Sequence, residues 1–182
     1  VTGVQTCALP ISTADCIPVL LYDEEHHAVA AIHAGWRGTL ARIVHKTIQE
    51  MAFSYHTDPK KLKAVIGPGI SLDHFEVGDE VYEAFEQAAF PMEEIAEQRP
   101  NAAFSVGPAE RERLAAEGNI VQPLKWHLNL PLCNRQILLH CGVAEENIQD
   151  SGICTFAHSD EYFSARKLGI ESGRIYTGIL LK

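Results

Sequence analysis

Two strand-like segments joined by a polar turn constrain the fold of this chain more than any other feature. The first runs from Thr13 to Asp23 and the second from His27 to Gly38, and both are rich in residues that favour strands. The residues between them are acidic or histidine, which is typical of a turn. The pattern predicts an antiparallel β-hairpin.

This hairpin would bring a thiol and an imidazole together. A tight turn centred on Glu24 and Glu25 places Cys16 directly opposite His33. Cross-strand neighbours have Cβ atoms about 4.5 to 5.5 Å apart, and one zinc ion can bridge such a pair with Zn–S of about 2.3 Å and Zn–N of about 2.1 Å. A buried cysteine packed against a hydrogen-bonded core histidine is the alternative. The residues alone leave both interpretations open.

Length, charge and cysteine usage limit the class of protein. The 182 residues fit one domain, and 24 acidic against 15 basic residues give a formal charge of −9. We expect no nucleic-acid partner, because the basic residues form no dense cluster, and no membrane span, because no apolar run reaches about 18 residues. The cysteines Cys16, Cys133, Cys141 and Cys154 lack the dense spacing of a secreted disulfide scaffold, which indicates a cytoplasmic protein.

Helical periodicity follows the hairpin in three places. Thr39 is the expected N-cap of a helix that extends to Met51, and the segment 77–90 has a second amphipathic pattern. Asn129 is the expected cap of a third helix, which Gly142 ends.

The remaining segments complete the predicted fold class. Residues 61–71 are expected to form a buried strand, residues 91–123 short helices and loops, and residues 153–181 one or two strands. Strands and helices interleave, but the opening hairpin must be antiparallel. The sequence therefore predicts an α+β fold, with a mixed β-sheet that helices cover, rather than a doubly wound parallel sheet.

Several blocks, in order along the chain, carry a family resemblance. They are TADCIPVLL, AAIHAGWRGT, IGPGISLDHFEVGDEV, WHLNLPLCNRQILLHCGV, SGICT and YFSARKLGIESGR. Together they resemble the YfiH/laccase-domain family, whose members are also described as multicopper polyphenol oxidase-like proteins or purine nucleoside phosphorylases. The resemblance implies a YfiH-like fold.

The resemblance also implies a metal site. Members of the family hold zinc with an upstream histidine followed by a cysteine and a histidine that match Cys16 and His33. The upstream histidine has no counterpart here. Catalytic zinc sites commonly use three protein ligands and keep one open position, so two ligands predict a weak or empty site. Copper is the second candidate, because thiolate and imidazole ligands also suit it.

The first eleven residues lie outside the resemblance. VTGVQTCALPI has no polar–apolar period, and its codons can be read as one frame of a common sequencing adapter. We therefore expect residues 1–12 to be non-native, and residues 13–182 to form a single YfiH-like domain that lacks its native amino-terminal part. On this hypothesis Cys7 and Pro10 have no functional role.

Residues near the predicted metal site are candidates for catalysis and phosphate binding. Arg37 precedes the predicted first turn of a helix, where free N–H groups favour an anion, and Gly35 and Gly38 allow close backbone approach. A structural Arg37 that caps carbonyls or pairs with Asp15 is equally compatible with the sequence. Asp15 itself is a candidate for acid–base work or for a role as a hydrogen-bond acceptor beside the thiol.

Aromatic and histidine side chains supply further candidates. Trp36 can stack on a purine or pack in the core, and His127 is a candidate pocket residue. The histidines expected at the surface are His26, His27, His45 and His56. Those in or near family-like blocks are His74, His127, His140 and His158.

The resemblance implies a zinc-dependent purine nucleoside phosphorylase that acts on adenosine, inosine or methylthioadenosine and has adenosine deaminase activity. Its partners would be a purine nucleoside and phosphate. The alternatives are a cytoplasmic amidase that edits peptidoglycan precursors, a copper-dependent polyphenol oxidase, and a non-enzymatic metal-binding protein. The sequence favours no particular oligomeric state.

Overall fold

A computed structural model describes residues 8–101, 107, 113, 122–169 and 171–181. The strands in this part of the chain are β1 (Ala8–Thr13), β2 (Ile17–Asp23), β3 (Ala28–Ala34), β4 (Lys63–Ile66), β5 (Glu76–Val77), β6 (Ala96–Pro100), β7 (Leu124–Leu128), β8 (Ile148–Asp150) and β9 (Ile175–Leu180). The helices are α1 (Trp36–Leu40), α2 (Ile43–Tyr55), α3 (Asp79–Gln87), α4 (Met92–Ile95), α5 (Leu130–His140) and α6 (Ala165–Leu168).

The described strands form three sheets, and the largest of them is mixed. Its order is β3-β2-β4-β8, in which β2 runs antiparallel to β3 and β4 while β4 and β8 are parallel. A three-stranded antiparallel sheet has the order β5-β7-β6, and β1 pairs with β9. The α+β class with a mixed sheet and an antiparallel opening hairpin is confirmed.

The hairpin register differs from the predicted one by two residues. Pro18 pairs with His33, so the predicted position of Cys16 directly opposite His33 is wrong. Cys16 lies just before β2, at the level of Gly35 if the ladder is extended. Because side chains alternate with a period of two along a strand, a shift of two residues leaves the thiol and the imidazole on the same face.

The length of the hairpin loop causes this shift. Four residues, 24–27, separate β2 from β3. The carboxylate of Asp23 accepts hydrogen bonds from the backbone N–H groups of Glu25 and His26, at 3.0 and 3.1 Å, and His27 has a left-handed φ of 49°. These features stabilise a wider loop than the two-residue turn expected from the sequence.

The core lies between the mixed sheet and the helices α2 and α5. Ile17, Val19 and Leu21 in β2 are fully buried, and α2 buries Val44 and Ile48 against β3 and α5. Each of these side chains contributes about 1.5 to 3 kcal/mol through removal from water. The burial of these side chains stabilises the central strand β2 in the sheet. It therefore also fixes the position of Cys16, which directly precedes β2.

The first predicted helix is divided in two, and Thr39 is not its N-cap. Thr39 is buried inside α1, where its hydroxyl donates to the carbonyl of Ala34 at 3.4 Å and accepts from the side-chain amide of Asn134 at 3.1 Å. Arg42 then adopts a left-handed φ of 54°, which ends the first helical segment before α2 begins. A short helix thus begins at Trp36, three residues after His33.

The other helix predictions are partly confirmed. The Asn129 side chain accepts from the Leu132 N–H at 3.0 Å at the start of α5, and Gly142 follows the helix with a φ of 91°, as expected. The second helix is shorter than the predicted 77–90, because Val77 belongs to β5. No helix within the described ranges is long and apolar enough to span a membrane.

The strand predicted over residues 61–71 is shorter than expected, whereas the carboxyl-terminal section contains a strand as predicted. Of residues 61–71, only Lys63–Ile66 form a strand, and the carboxyl-terminal section has the single strand β9 preceded by the short helix α6. In the section 91–123, α4 and β6 occupy the start, while most of residues 102–121 lie outside the described residues.

The segment suspected to be non-native takes part in a sheet. Residues 8–13 pair in register with β9. This pairing uses backbone N–H and C=O groups, which almost any sequence supplies. It therefore leaves the adapter origin of residues 1–12 a prediction.

Candidate functional site

The thiol of Cys16 and the imidazole of His33 converge in front of Gly35. A Cβ atom built on Gly35 would lie 2.8 Å from the Cys16 Sγ and 3.9 Å from the His33 Nε2. Both side chains therefore border one small space, which exists because residue 35 has no side chain. His33 is exposed and Cys16 is half-buried, so this space opens toward solvent.

The surroundings of Cys16 disfavour an unassisted thiolate. Burial, together with the negative charge of Asp15, raises the pKa of the Cys16 thiol above its ordinary value. A metal cation acts in the opposite direction, because its positive charge favours the deprotonated ligand. The Cys16 sulfur is therefore better suited to binding a cation than to attacking a substrate by itself.

The donor set fits a thiolate–imidazole metal, but with two ligands. Within the residues that the structure describes, no three histidine, cysteine or acidic side chains are grouped closely enough to hold a metal ion. Cys16 and His33 have the donor atoms that zinc and copper accept. They provide two of the three protein ligands that catalytic zinc sites commonly use.

Asp15 connects the loop before Cys16 to the carboxyl-terminal part of the chain. It is buried, with a left-handed φ of 84°. One carboxylate oxygen accepts from the Thr155 hydroxyl at 2.7 Å, and the other accepts from the backbone N–H of Arg166 at 2.7 Å. Both oxygens thus have short hydrogen bonds within the protein, which favours a positioning role over proton transfer.

Trp36 and Arg37 lie in α1, three and four residues after His33. Arg37 is inside the first turn of the helix and not before it, because α1 begins at Trp36. Its guanidinium is exposed and stacks over the Trp36 ring, 4.2 Å from the centroid. A five-residue helix contributes little dipole, so the guanidinium is the main feature here that could bind an anion.

The other two predicted substrate residues have clear structural surroundings. A Cβ on Gly38 would lie 3.3 Å from the carbonyl oxygen of His33, so Gly38 permits close packing of α1 on the end of β3. His127 is buried in β7, where its Nδ1 lies 2.9 Å from the Leu72 carbonyl oxygen. The structure does not group His127 with Cys16 and His33 as a third ligand.

Sequence reasoning missed a second cluster, formed by Ser71, His74 and Cys154. The Cys154 sulfur lies 3.2 Å from the Ser71 hydroxyl oxygen and 3.5 Å from the His74 Nδ1. His74 and Cys154 each lie in a family-like block, which was the available signal. No sequence pattern indicates that these two blocks lie next to each other in the fold.

Comparisons with known sequences give a consistent family. The sequence model of the family described as multi-copper polyphenol oxidoreductase laccase matches residues 1–182. A purine nucleoside phosphorylase of Bacteroides thetaiotaomicron is 44% identical over 173 residues, which cover 95% of this chain and 56% of that protein. Adenosine deaminase RL5, from an unknown prokaryotic organism, is 39% identical over 182 residues, which cover 100% of this chain and 61% of that protein. The chain spans less than two thirds of the length of these relatives.

Solved structures support the same fold. YfiH from Bacillus licheniformis has a TM-score of 0.76 and 27% identity, over 96% of this chain and 58% of that one. Protein NMB0706 from Neisseria meningitidis has a TM-score of 0.73 and 31% identity, over 96% of this chain and 60% of that one. The predicted YfiH-like fold is confirmed.

Proposed function

Because the chain belongs to the multi-copper polyphenol oxidoreductase laccase family, we propose that it is part of a zinc-dependent purine nucleoside phosphorylase that also deaminates adenosine. Relatives named purine nucleoside phosphorylase and adenosine deaminase support this activity. The observation that carries the proposal is the convergence of Cys16 and His33 in front of Gly35. The proposed substrates are adenosine, inosine and methylthioadenosine, with phosphate as the second substrate.

Cys16 and His33 are the proposed zinc ligands. Zinc bound there would supply a Lewis acid and lower the pKa of a bound water. Copper would accept the same two ligands. The cytoplasm is the proposed compartment, because the Cys16 thiol remains reduced there.

The neighbouring residues have positioning and binding roles. In phosphorolysis a phosphate oxygen bonds to C1′ of the ribose, the C1′–N9 bond breaks, and the base leaves with the electron pair and gains a proton. Arg37 is proposed to orient the phosphate through two parallel N–H contacts, with Trp36 supporting its guanidinium. Asp15 fixes the loop that carries Cys16 through its bonds to Thr155 and Arg166.

The remaining predicted residues shape the site. Gly35 keeps open the space beside the thiol, and Gly38 lets α1 approach β3. His127 is proposed to line the nucleoside pocket, since its ring is held in place by the Leu72 carbonyl.

A nucleoside assay tests the proposal. The chain would be joined in frame to the upstream segment of the Bacteroides thetaiotaomicron relative, so that a third ligand is available, then loaded with zinc and given adenosine and phosphate. We expect release of adenine and ribose phosphate, and loss of this turnover in Cys16→Ser and in His33→Gln. Cys141→Ser is the matched control and should keep the activity. Full turnover in Cys16→Ser would contradict the proposal.

Parallel reactions separate the other activities. Ammonia and inosine formed without phosphate would indicate the deaminase, which the relative of that name favours. Copper-dependent oxidation of a phenol would indicate the activity in the family's description. Cleavage of an amino-acyl muramic acid nucleotide would indicate the amidase. A zinc-bound protein with a raised melting temperature and no turnover would indicate a non-enzymatic metal-binding role and overturn the proposal.

A further inference from the structure

The sulfur of Cys154 is surrounded by hydrogen-bond donors. The backbone N–H of Ser71 points to it at 3.4 Å and the Ser71 hydroxyl at 3.2 Å. The His74 Nδ1 lies 3.5 Å from the sulfur and 3.4 Å from the Ser71 hydroxyl oxygen. Thiol, hydroxyl and imidazole therefore contact one another within a single cluster.

Backbone pairing holds this cluster together. Gly69 and Cys154 form a parallel bridge, in which the Gly69 N–H donates to the Ile153 carbonyl at 3.2 Å and the Thr155 N–H donates to the Gly69 carbonyl at 3.0 Å. The His74 N–H donates to the Ser71 carbonyl at 3.1 Å, which turns the chain back over the serine. The arrangement is thus fixed by the fold.

A stacking contact orients the imidazole. The rings of His74 and Phe156 lie 4.4 Å apart between centroids, with an angle of 23° between their planes. This contact holds the His74 ring with its Nδ1 toward the sulfur. Because the ring is already placed, it can accept the thiol proton without a further conformational change.

The donors stabilise the charged form of the sulfur. Burial by itself would raise the pKa of Cys154, but the Ser71 hydroxyl and the N–H groups of Ala157, Ser71 and Phe156 outweigh it and lower the pKa below the ordinary value. The other described cysteines behave in the opposite way. Burial raises the pKa of Cys133 to about 12 and also raises the pKa values of Cys16 and Cys141.

An open groove borders the cluster at Ser71. Cys154 is largely buried, but Ser71 and His74 are only half-buried. Ser71 also lines an open groove together with Asp73, Asn129 and Asp150. The groove therefore reaches the residue whose hydroxyl contacts the Cys154 sulfur.

We propose that Cys154 is a reactive thiolate, with His74 as its imidazole partner, and that it is a site of modification by peroxides and other small soft electrophiles. With a peroxide, the sulfur bonds to one oxygen and the O–O bond breaks. The second oxygen leaves as hydroxide or alkoxide and gains a proton from water. The sulfur is oxidised by two electrons to a sulfenic acid, and the peroxide is reduced by two. The reaction involves neither Cys16 nor His33, so it is independent of the proposed metal site.

The pH dependence of alkylation tests this proposal on the whole chain. The metal-free protein would be treated with limiting iodoacetamide from pH 5 to pH 10, and each cysteine peptide would be quantified by mass spectrometry. Burial lowers the alkylation rate of a thiol by the same factor at every pH. The pH at the midpoint of each rate profile therefore decides the test. We expect the midpoint of Cys154 to lie below those of Cys16 and Cys141, because hydrogen bonds lower the pKa of Cys154 while burial raises the pKa values of the other two. A midpoint at or above that of Cys141 would overturn the proposal.

Trapping and substitution test the chemistry and the role of the partners. Hydrogen peroxide followed by dimedone should label Cys154 before the other cysteines. His74→Gln and Ser71→Ala should each move the Cys154 profile to higher pH, whereas His140→Gln, at the exposed end of α5 and outside the cluster, should not. Unchanged profiles in both cluster variants would contradict the proposed partners, and dimedone labelling of another cysteine first would contradict the proposed site.

Discussion

The two cysteine–histidine pairs of this molecule have the same side chains in opposite electrostatic surroundings. Cys16 lies beside the carboxylate of Asp15, and burial together with that negative charge raises its pKa. Cys154 receives hydrogen bonds from Ser71 and from backbone N–H groups, and its pKa is lowered although it is largely buried.

This difference separates a metal ligand from a nucleophile. The Cys16 thiol needs a neighbouring cation before it ionises at neutral pH, whereas the protein itself stabilises the Cys154 thiolate. The residue types alone do not distinguish the two roles. The charges and hydrogen-bond donors around each sulfur distinguish a metal ligand from a nucleophile.

Zinc should produce the largest difference between the alkylation rates of Cys16 and Cys154. With free zinc at about 100 times its dissociation constant, alkylation of Cys16 should slow about 100-fold, because only the unbound fraction reacts. Cys154 should continue to react at its metal-free rate. Mass-spectrometric quantification of both peptides checks this result, and equal protection of the two thiols would remove the distinction between the pairs.

Removing the charge beside Cys16 should lower both the free energy of unfolding and the pKa of the Cys16 thiol. Asp15→Asn tolerates the left-handed backbone but leaves one donor without an acceptor, so the free energy of unfolding in urea should fall by about 1 to 3 kcal/mol. Because the Asp15 charge raises the pKa of Cys16, its loss should move the Cys16 alkylation midpoint to lower pH.

The exposed Asp160 supplies the matched control. Asp160→Asn should change the free energy of unfolding by less than about 0.5 kcal/mol and leave the Cys16 profile in place. A Cys16 profile unchanged in Asp15→Asn would show that the carboxylate does not influence the thiol.

Filling the space beside Cys16 should weaken metal binding without unfolding the protein. In Gly35→Ala the new Cβ would lie 2.8 Å from the Cys16 Sγ, so the thiol must leave its present position in front of residue 35. We expect zinc affinity to fall at least about tenfold, or 1.4 kcal/mol, while the melting temperature stays nearly constant. Gly178→Ala, where the nearest atom would be at an ordinary 3.4 Å, is the control. Equal zinc affinity in the two variants would argue against a metal in front of Gly35.

Only a small change in stability is expected at the two stacked cations. Arg37 lies over Trp36 near the first pair, and Lys167 lies over Phe156 near the second, with its Nζ 5.3 Å from the ring centroid. Replacing either exposed cation with alanine should change stability by about 0.5 kcal/mol or less. In the zinc-loaded, extended protein, Arg37→Ala should raise the KM for phosphate and Lys167→Ala should not. Equal KM values would exclude Arg37 from phosphate binding.

The sequence predicted best what depends on neighbouring residues. The Asn129 cap and the left-handed Gly142 follow from side chains within one turn of each helix end. The hairpin itself was predicted for the same reason. Its register was not, because the wider loop depends on hydrogen bonds to Asp23 and on the backbone of His27, which residue types alone do not specify.

The candidate site was predictable only where the chain folds back locally. Cys16 and His33 lie on adjacent arms of one hairpin, so their approach follows from strand pairing. The bonds that join Asp15 to Thr155 and Cys154 to His74 span 140 and 80 residues. Such contacts depend on the parallel bridge between distant segments, which no local pattern reveals.

Cobalt(II) titration tests the central claim, that Cys16 and His33 together hold a metal ion, most directly. A thiolate bound to cobalt gives a charge-transfer absorption band in the near ultraviolet. We predict this band in the unmodified chain and in Cys154→Ser, its loss in Cys16→Ser, and a marked weakening in His33→Gln. A band that persists in Cys16→Ser, or that disappears in Cys154→Ser, would contradict the claim.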